Sequence, residues 1–152
     1  MGGMTSTLSK TLLIVSALTL AACAPLGGTG GSSSSSSAAS SQPHADMIQV
    51  TSPAPNTAVS TSQPLVVTGR ARGPWYFEAS FPVKLLDSNG NVLAQGPAQA
   101  QSDWMTTDFV PFVITLNFTT TDTSGTLVLQ NDNPSGEPAN AKSISIPVTF
   151  VP

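Results

Sequence analysis

Val110-Pro111-Phe112-Val113-Ile114-Thr115-Leu116-Asn117-Phe118-Thr119 is the stretch that decides the fold. Val110, Phe112, Ile114, Leu116 and Phe118 fall on one parity, with Pro111, Thr115, Asn117 and Thr119 opposite. Successive side chains of an extended chain point to opposite faces, so a period of two describes a strand with one face on a core and the other in water. The same alternation recurs on both sides. Upstream, Phe77, Ala79, Phe81, Val83 and Leu85 alternate with Glu78, Ser80, Pro82 and Lys84. Downstream, Ile144, Ile146, Val148 and Phe150 alternate with Ser145, Pro147 and Thr149.

Shorter strand candidates lie at 48–51, 65–71, 92–99 and 126–130. Together they predict about seven strands, separated by turn signals, and no stretch beyond the N-terminal region carries a helical period. Asp87-Ser88-Asn89-Gly90 reads as a tight hairpin turn, and Asp122-Thr123-Ser124-Gly125 as a second turn. Pro82, Pro111 and Pro147 all take the outward parity. Each removes a ladder donor, so they are expected on edge strands or at bulges. Many short strands with Gly, Pro and Asn turns predict an all-β, two-sheet sandwich over residues 46–152.

The N-terminus follows different rules. Lys10 precedes the apolar run from Leu12 to Ala22, which is well short of the roughly 18 residues that span a bilayer. A weak positive charge, a short apolar stretch and small residues at its end make a secretory signal over residues 1–22, with Met1 or Met4 as the start. The end of the run, Leu20-Ala21-Ala22-Cys23, resembles the bacterial lipobox, in which small residues precede a Cys that becomes a thioether to diacylglycerol. That resemblance implies a protein anchored to membrane lipid through Cys23 on a bacterial membrane, its domain facing outside the cytoplasm. Cys23 is the sole cysteine, so no internal disulfide can form. Residues 23–45, with six consecutive serines at 32–37, cannot bury enough apolar surface to offset chain entropy and read as a flexible tether.

Charged residues make up 9% of the chain, and the net charge is −3. Beyond the signal the basic residues are Arg70, Arg72, Lys84 and Lys142, and their spacing predicts no cluster. The electrostatic footprint of nucleic-acid binding is therefore missing.

Residues 48–150 are similar to the immunoglobulin-like domain of bacterial spore germination. The more specific pieces are Trp75-Tyr76-Phe77-Glu78 with Phe81-Pro82, and Asp103-Trp104-Met105. Segments 48–53, 64–71, 87–90, 109–112 and 131–136 support them. The resemblance implies an immunoglobulin-like sandwich outside the cytoplasm, a germination-related setting and no enzymatic activity.

Candidate ligand-binding residues are Trp75, Glu78, Trp104, Asn131, Asp132 and Asn133. Two Trp near turns can form an aromatic platform for carbohydrate or peptide, although Trp in a small sandwich more often fills the core or caps it. The Asn131-Asp132-Asn133-Pro134-Ser135-Gly136 loop carries amides and a carboxylate suited to calcium or a sugar, or simply makes a rigid turn. Glu78 is expected outward, within reach of Arg70 or Arg72 as a surface pair. The acidic spacing fits no EF-hand. His44, the one histidine, falls in the tether, so neither a His-based metal site nor a Ser–His–acid triad is expected. Catalytic residues, cofactors and metals are accordingly expected to be none. The expected function is a non-catalytic binding module for an envelope protein or cell-wall polymer, the alternative a structural envelope component. A cell-wall hydrolase stands behind both for want of a nucleophile–base pair.

Overall fold

The computed structural model describes residues 42–152. The signal peptide, Cys23 and the tether up to residue 41 lie outside the described residues. Eight strands run in order: β1 (Ile48–Ser52), β2 (Thr57–Ser60), β3 (Leu65–Arg72), β4 (Ser80–Asp87), β5 (Val92–Ala100), β6 (Phe109–Leu116), β7 (Ser124–Gln130) and β8 (Ser143–Val151). Short 3-10 turns stand at Gly73–Trp75 and Pro138–Asn140.

The strands hydrogen-bond in the order β1-β3-β6-β5-β4-β7-β8-β2. The link between β5 and β6 is only two pairs long, Gln99↔Val113 and Ala100↔Phe112. At that corner the sheet folds over itself. Phe81 on β4 meets Phe112 on β6 edge to face at 5.0 Å, although β5 stands between those strands in the ladder order. One layer is therefore β1-β3-β6 and the other β5-β4-β7-β8-β2. The two N-terminal strands close opposite ends of the ladder: β1 runs antiparallel to β3, and β2 crosses over to lie parallel to β8. This is an immunoglobulin-like arrangement.

The core follows the alternation. Phe81, Val83 and Leu85, then Val110, Phe112, Ile114 and Leu116, then Ile144, Ile146, Val148 and Phe150 are all buried. Among the described residues no charged side chain is buried. Each such aliphatic or aromatic side chain is worth about 1.5–3 kcal/mol when removed from water, which is how the sandwich holds without a disulfide.

Four expectations are corrected. The three outward prolines lie on interior strands, not edges. Each sits where the ladder on one side has ended. Pro111 accepts from Gln101 N, just past β5, and Pro147 accepts from Asn56 N, just ahead of β2. Pro82 lies one residue beyond the last β4–β7 pair, Val83↔Leu129. Backbone N and O of one strand residue face the same side, so the missing N–H falls where no ladder partner waits. Second, the alternation at 77–85 does not form one strand. Glu78 and Ala79 have φ of 50° and 63°, and Phe77 and Ser80 exchange backbone hydrogen bonds of 3.0 and 3.1 Å around them. Third, Gly125 is no turn glycine. It lies inside β7, where an added Cβ would strike Leu86 O and the Phe150 ring. Fourth, β2 was not foreseen.

Candidate functional site

Arg72-Gly73-Pro74-Trp75-Tyr76 builds the first part of the site. Pro74 pre-sets the backbone of the 3-10 turn, and Tyr76 N closes it on Gly73 O at 3.0 Å. Gly73 is buried against the β5–β6 loop, and a Cβ there would land on Thr106 O and Trp104 O. The turn and the loop therefore touch backbone to backbone. Within the loop, Thr106 N donates to Trp104 O (2.8 Å), Met105 N to Asp103 Oδ1 (3.0 Å) and Asp108 N to Thr106 Oγ1 (3.1 Å). Beneath it, the buried Tyr76 hydroxyl donates to Val110 O at 2.7 Å. Burial pushes the Tyr76 phenol up to about 12, against a smaller opposite pull from the Ala71 backbone.

This bracing presents a shallow depression of about 610 Å³ lined by Gly73, Pro74, Tyr76, Trp104, Met105, Thr106 and Thr107. Trp104 is half-buried with one side on the core, and Met105 is 77% exposed. An aromatic ring and a thioether held at the surface by a braced backbone form an apolar shelf with a polar rim, suited to a flat ligand face.

The other predicted residues are distributed differently. Trp75 is fully buried, and its indole N–H finds no acceptor among the described residues. Its ring lies 6.1 Å from that of His44, so it offers no open face to a ligand. Asn131 is consumed internally: its Oδ1 accepts from Lys142 N (2.6 Å) and its Nδ2 donates to Asn140 O (3.1 Å). Asn133 Nδ2 donates to Glu137 O (2.8 Å), and its Oδ1 accepts from Ser135 Oγ (2.7 Å). The amides of the 131–136 loop thus close the loop on itself. Asp132 is tied to Trp75 through its backbone, with Asp132 N donating to Trp75 O at 3.0 Å. It also lines a second depression of about 480 Å³ beside Ser80, Pro82, Lys84, Gln95 and Pro97. Glu78 is exposed at the tip of its two-residue turn.

Two expectations about charge change. Glu78 is not a partner of Arg70 or Arg72, whose donors reach Gln49 Oε1, Asp46 O and Thr107 O. Those two arginines also do form a cluster, over Phe109. Arg-x-Arg on one parity, opposite an outward aromatic on the paired strand, was the available signal, but it required knowing the β3–β6 register. Among the described residues no group of three or more His, Cys, Asp or Glu side chains could hold a metal ion.

No curated protein matches the chain. A family model does, over residues 47–137, ending before β8. Its description names bacterial spore germination and an immunoglobulin-like domain, and the strand order agrees with the second of these. The chain belongs to the family described as the immunoglobulin-like domain of bacterial spore germination.

Proposed function

We propose that this protein is a lipid-anchored, extracytoplasmic lipoprotein whose immunoglobulin-like domain is a non-catalytic binding module at the bacterial cell envelope. The anchor reading rests on Leu20-Ala21-Ala22-Cys23 behind a short apolar run. Family membership supports a germination-related setting. The binding reading is carried by one observation: an exposed Met105 stands beside a half-buried Trp104 on a loop locked to Gly73. A part-exposed indole beside an exposed thioether on a braced backbone is a pre-organised apolar contact of the kind that anchors a partner.

The test is retention of envelope proteins and solubilised cell-wall material by the wild-type protein and by a Trp104→Ala/Met105→Ala variant. Retention that falls at least tenfold while the melting temperature holds within a few degrees supports the reading. No retention by the wild type from any fraction sinks it. Cys23→Ala should move the protein from the membrane to the soluble fraction. The structural-component alternative draws on the burial of Trp75 and the self-bonded 131–140 loop. It predicts that substitutions at the shelf cost stability rather than binding.

A further inference from the structure

We propose that Arg70, Arg72 and Phe109 form a site for the carboxylate groups of an acidic cell-wall glycan, continuous with the Trp104 shelf. The proposal rests on the binding-module reading and adds the charge and class of the ligand. On the outer face of the β1-β3-β6 layer, Arg72 pairs with Phe109 across the β3–β6 ladder, and Arg70 with Pro111. The Arg72 guanidinium carbon lies 4.4 Å from the Phe109 ring centroid, and that of Arg70 lies 5.0 Å from the same centroid. Two like charges are thus held against one ring.

Their hydrogen bonds orient them without neutralising them. Arg72 Nε donates to Asp46 O (2.7 Å) and Nη1 to Thr107 O (2.8 Å). Arg70 Nε donates to Gln49 Oε1 (2.9 Å), and Gln49 Nε2 in turn donates to Ala45 O (2.9 Å). Every one of these acceptors is neutral. Residues 1–41 contain no acidic side chain to alter that. Asp46 reaches Arg72 through its main chain, and although Asp103 and Asp108 lie on the neighbouring loop, neither carboxylate accepts a hydrogen bond from Arg70 or Arg72 among the described residues. Among the described residues the guanidinium donors beyond those three bonds have no partner, and they lie in the planar fork that matches a carboxylate.

The setting sharpens the choice of ligand. The described residues carry Asp46, Glu78, Asp87, Asp103, Asp108, Asp122, Asp132 and Glu137 against Arg70, Arg72, Lys84 and Lys142. Among the described residues Arg70 and Arg72 are the two cations that share one aromatic ring, so a carboxylate meets paired guanidinium groups here. Thr107 joins it to the shelf: its carbonyl holds Arg72, and the residue lines the Trp104 depression. A sugar ring stacked on Trp104 and Met105 would carry an acidic substituent towards Arg72. β3, which carries both arginines, is paired with β1 on one side and β6 on the other, so the arginines meet a ligand through their side chains and not through a free β3 edge.

The experiment titrates the detergent-extracted full chain with glycan strands released from peptidoglycan, their carboxyls either free or converted to methylamides. Free strands should bind, and salt should weaken them. Arg70→Gln/Arg72→Gln should weaken binding about tenfold or more, as loss of charge-assisted hydrogen bonds implies. A double Lys variant should recover only part, since an ammonium lacks the planar fork. Arg70→Gln alone, whose side chain bonds only Gln49, covers the case in which the double variant loosens the loop. Methylamide strands that bind the wild type as tightly as free ones, with Trp104→Ala weakening both, would leave the binding module standing and overturn the anion site. Arginine-dependent binding of phosphatidylglycerol vesicles, with no binding of strands, would overturn the glycan assignment.

Discussion

Tyr76 shows how one buried polar atom ties site to stability. Its hydroxyl donates to Val110 O, and burial raises its pKa to about 12 from an unfolded value of 10.0. The folded protein then holds the phenolic proton over a range where the unfolded chain has lost it. Stability from this group is full below pH 10 and falls as pH rises towards 12. Tyr76→Phe should flatten that alkaline decline in a melting series. At neutral pH it should cost about 1 kcal/mol, because Val110 O loses a donor. A variant that keeps the wild-type alkaline slope would assign the titration elsewhere. Trp75 differs, since its buried N–H has no acceptor among the described residues. Trp75→Phe removes an unpaired donor worth about 1–3 kcal/mol along with some packing, so the net change should stay within about 1 kcal/mol. The sequence placed Trp75 beside a turn and left platform and core both open. Around it lie the His44 ring and the Asp132 backbone, which donates to Trp75 O, and neither contact has a periodic signature.

Among the elements, those with several alternating positions were legible and those with one were not. β6 and β8 each bury four residues in strict alternation, so parity alone identified them. β2 buries only Val59 of its four residues, and its pairing depends on β8, more than eighty residues away in sequence. The failure at Phe77 has another cause: a chain can keep its hydrophobic parity through a two-residue turn. Glu78 and Ala79 both occupy the left-handed region, where a Cβ costs about 1–2 kcal/mol. Ala79→Gly should therefore raise stability, by about 0.5–1 kcal/mol once the extra freedom of the unfolded chain is subtracted. A lower melting temperature in that variant would mean the turn is held by contacts of the Ala79 methyl instead. Gly125→Ala should act in the opposite sense, costing about 1–3 kcal/mol through collision with Leu86 O and Phe150. The Asp87 hairpin was readable because its chemistry is local. Asp87 Oδ1 accepts from Asn89 N and Asn91 N, and Gly90 takes φ 86°.

At the scale of the molecule, the open question is where the tether ends and the domain begins. Composition set that boundary at residue 46, because Gly, Ser, Pro and Ala dominate ahead of it. Composition is blind to a short segment whose own side chains are modest but whose backbone is used by the fold. Residues 42–45 are such a segment, and Asp46 continues it. Met47 N and Ile48 N donate to His44 O at 2.8 and 2.9 Å, Gln49 reaches Ala45 O, and Arg72 reaches Asp46 O. The His44 ring covers Trp75, while Gln42 and Pro43 line a depression with Pro55, Asn56 and Pro147. A chain beginning at Met47 loses these bonds and uncovers the indole. It should be less stable than one beginning at Gln42 by about 2 kcal/mol, or roughly 8–16 °C in melting temperature for a domain of this size. It should also bind acidic glycan less tightly, since Asp46 O helps to set the Arg72 fork. Equal melting curves would return residues 42–45 to the tether. Equal affinity at lower stability would show that Thr107 and Phe109 suffice to orient Arg72.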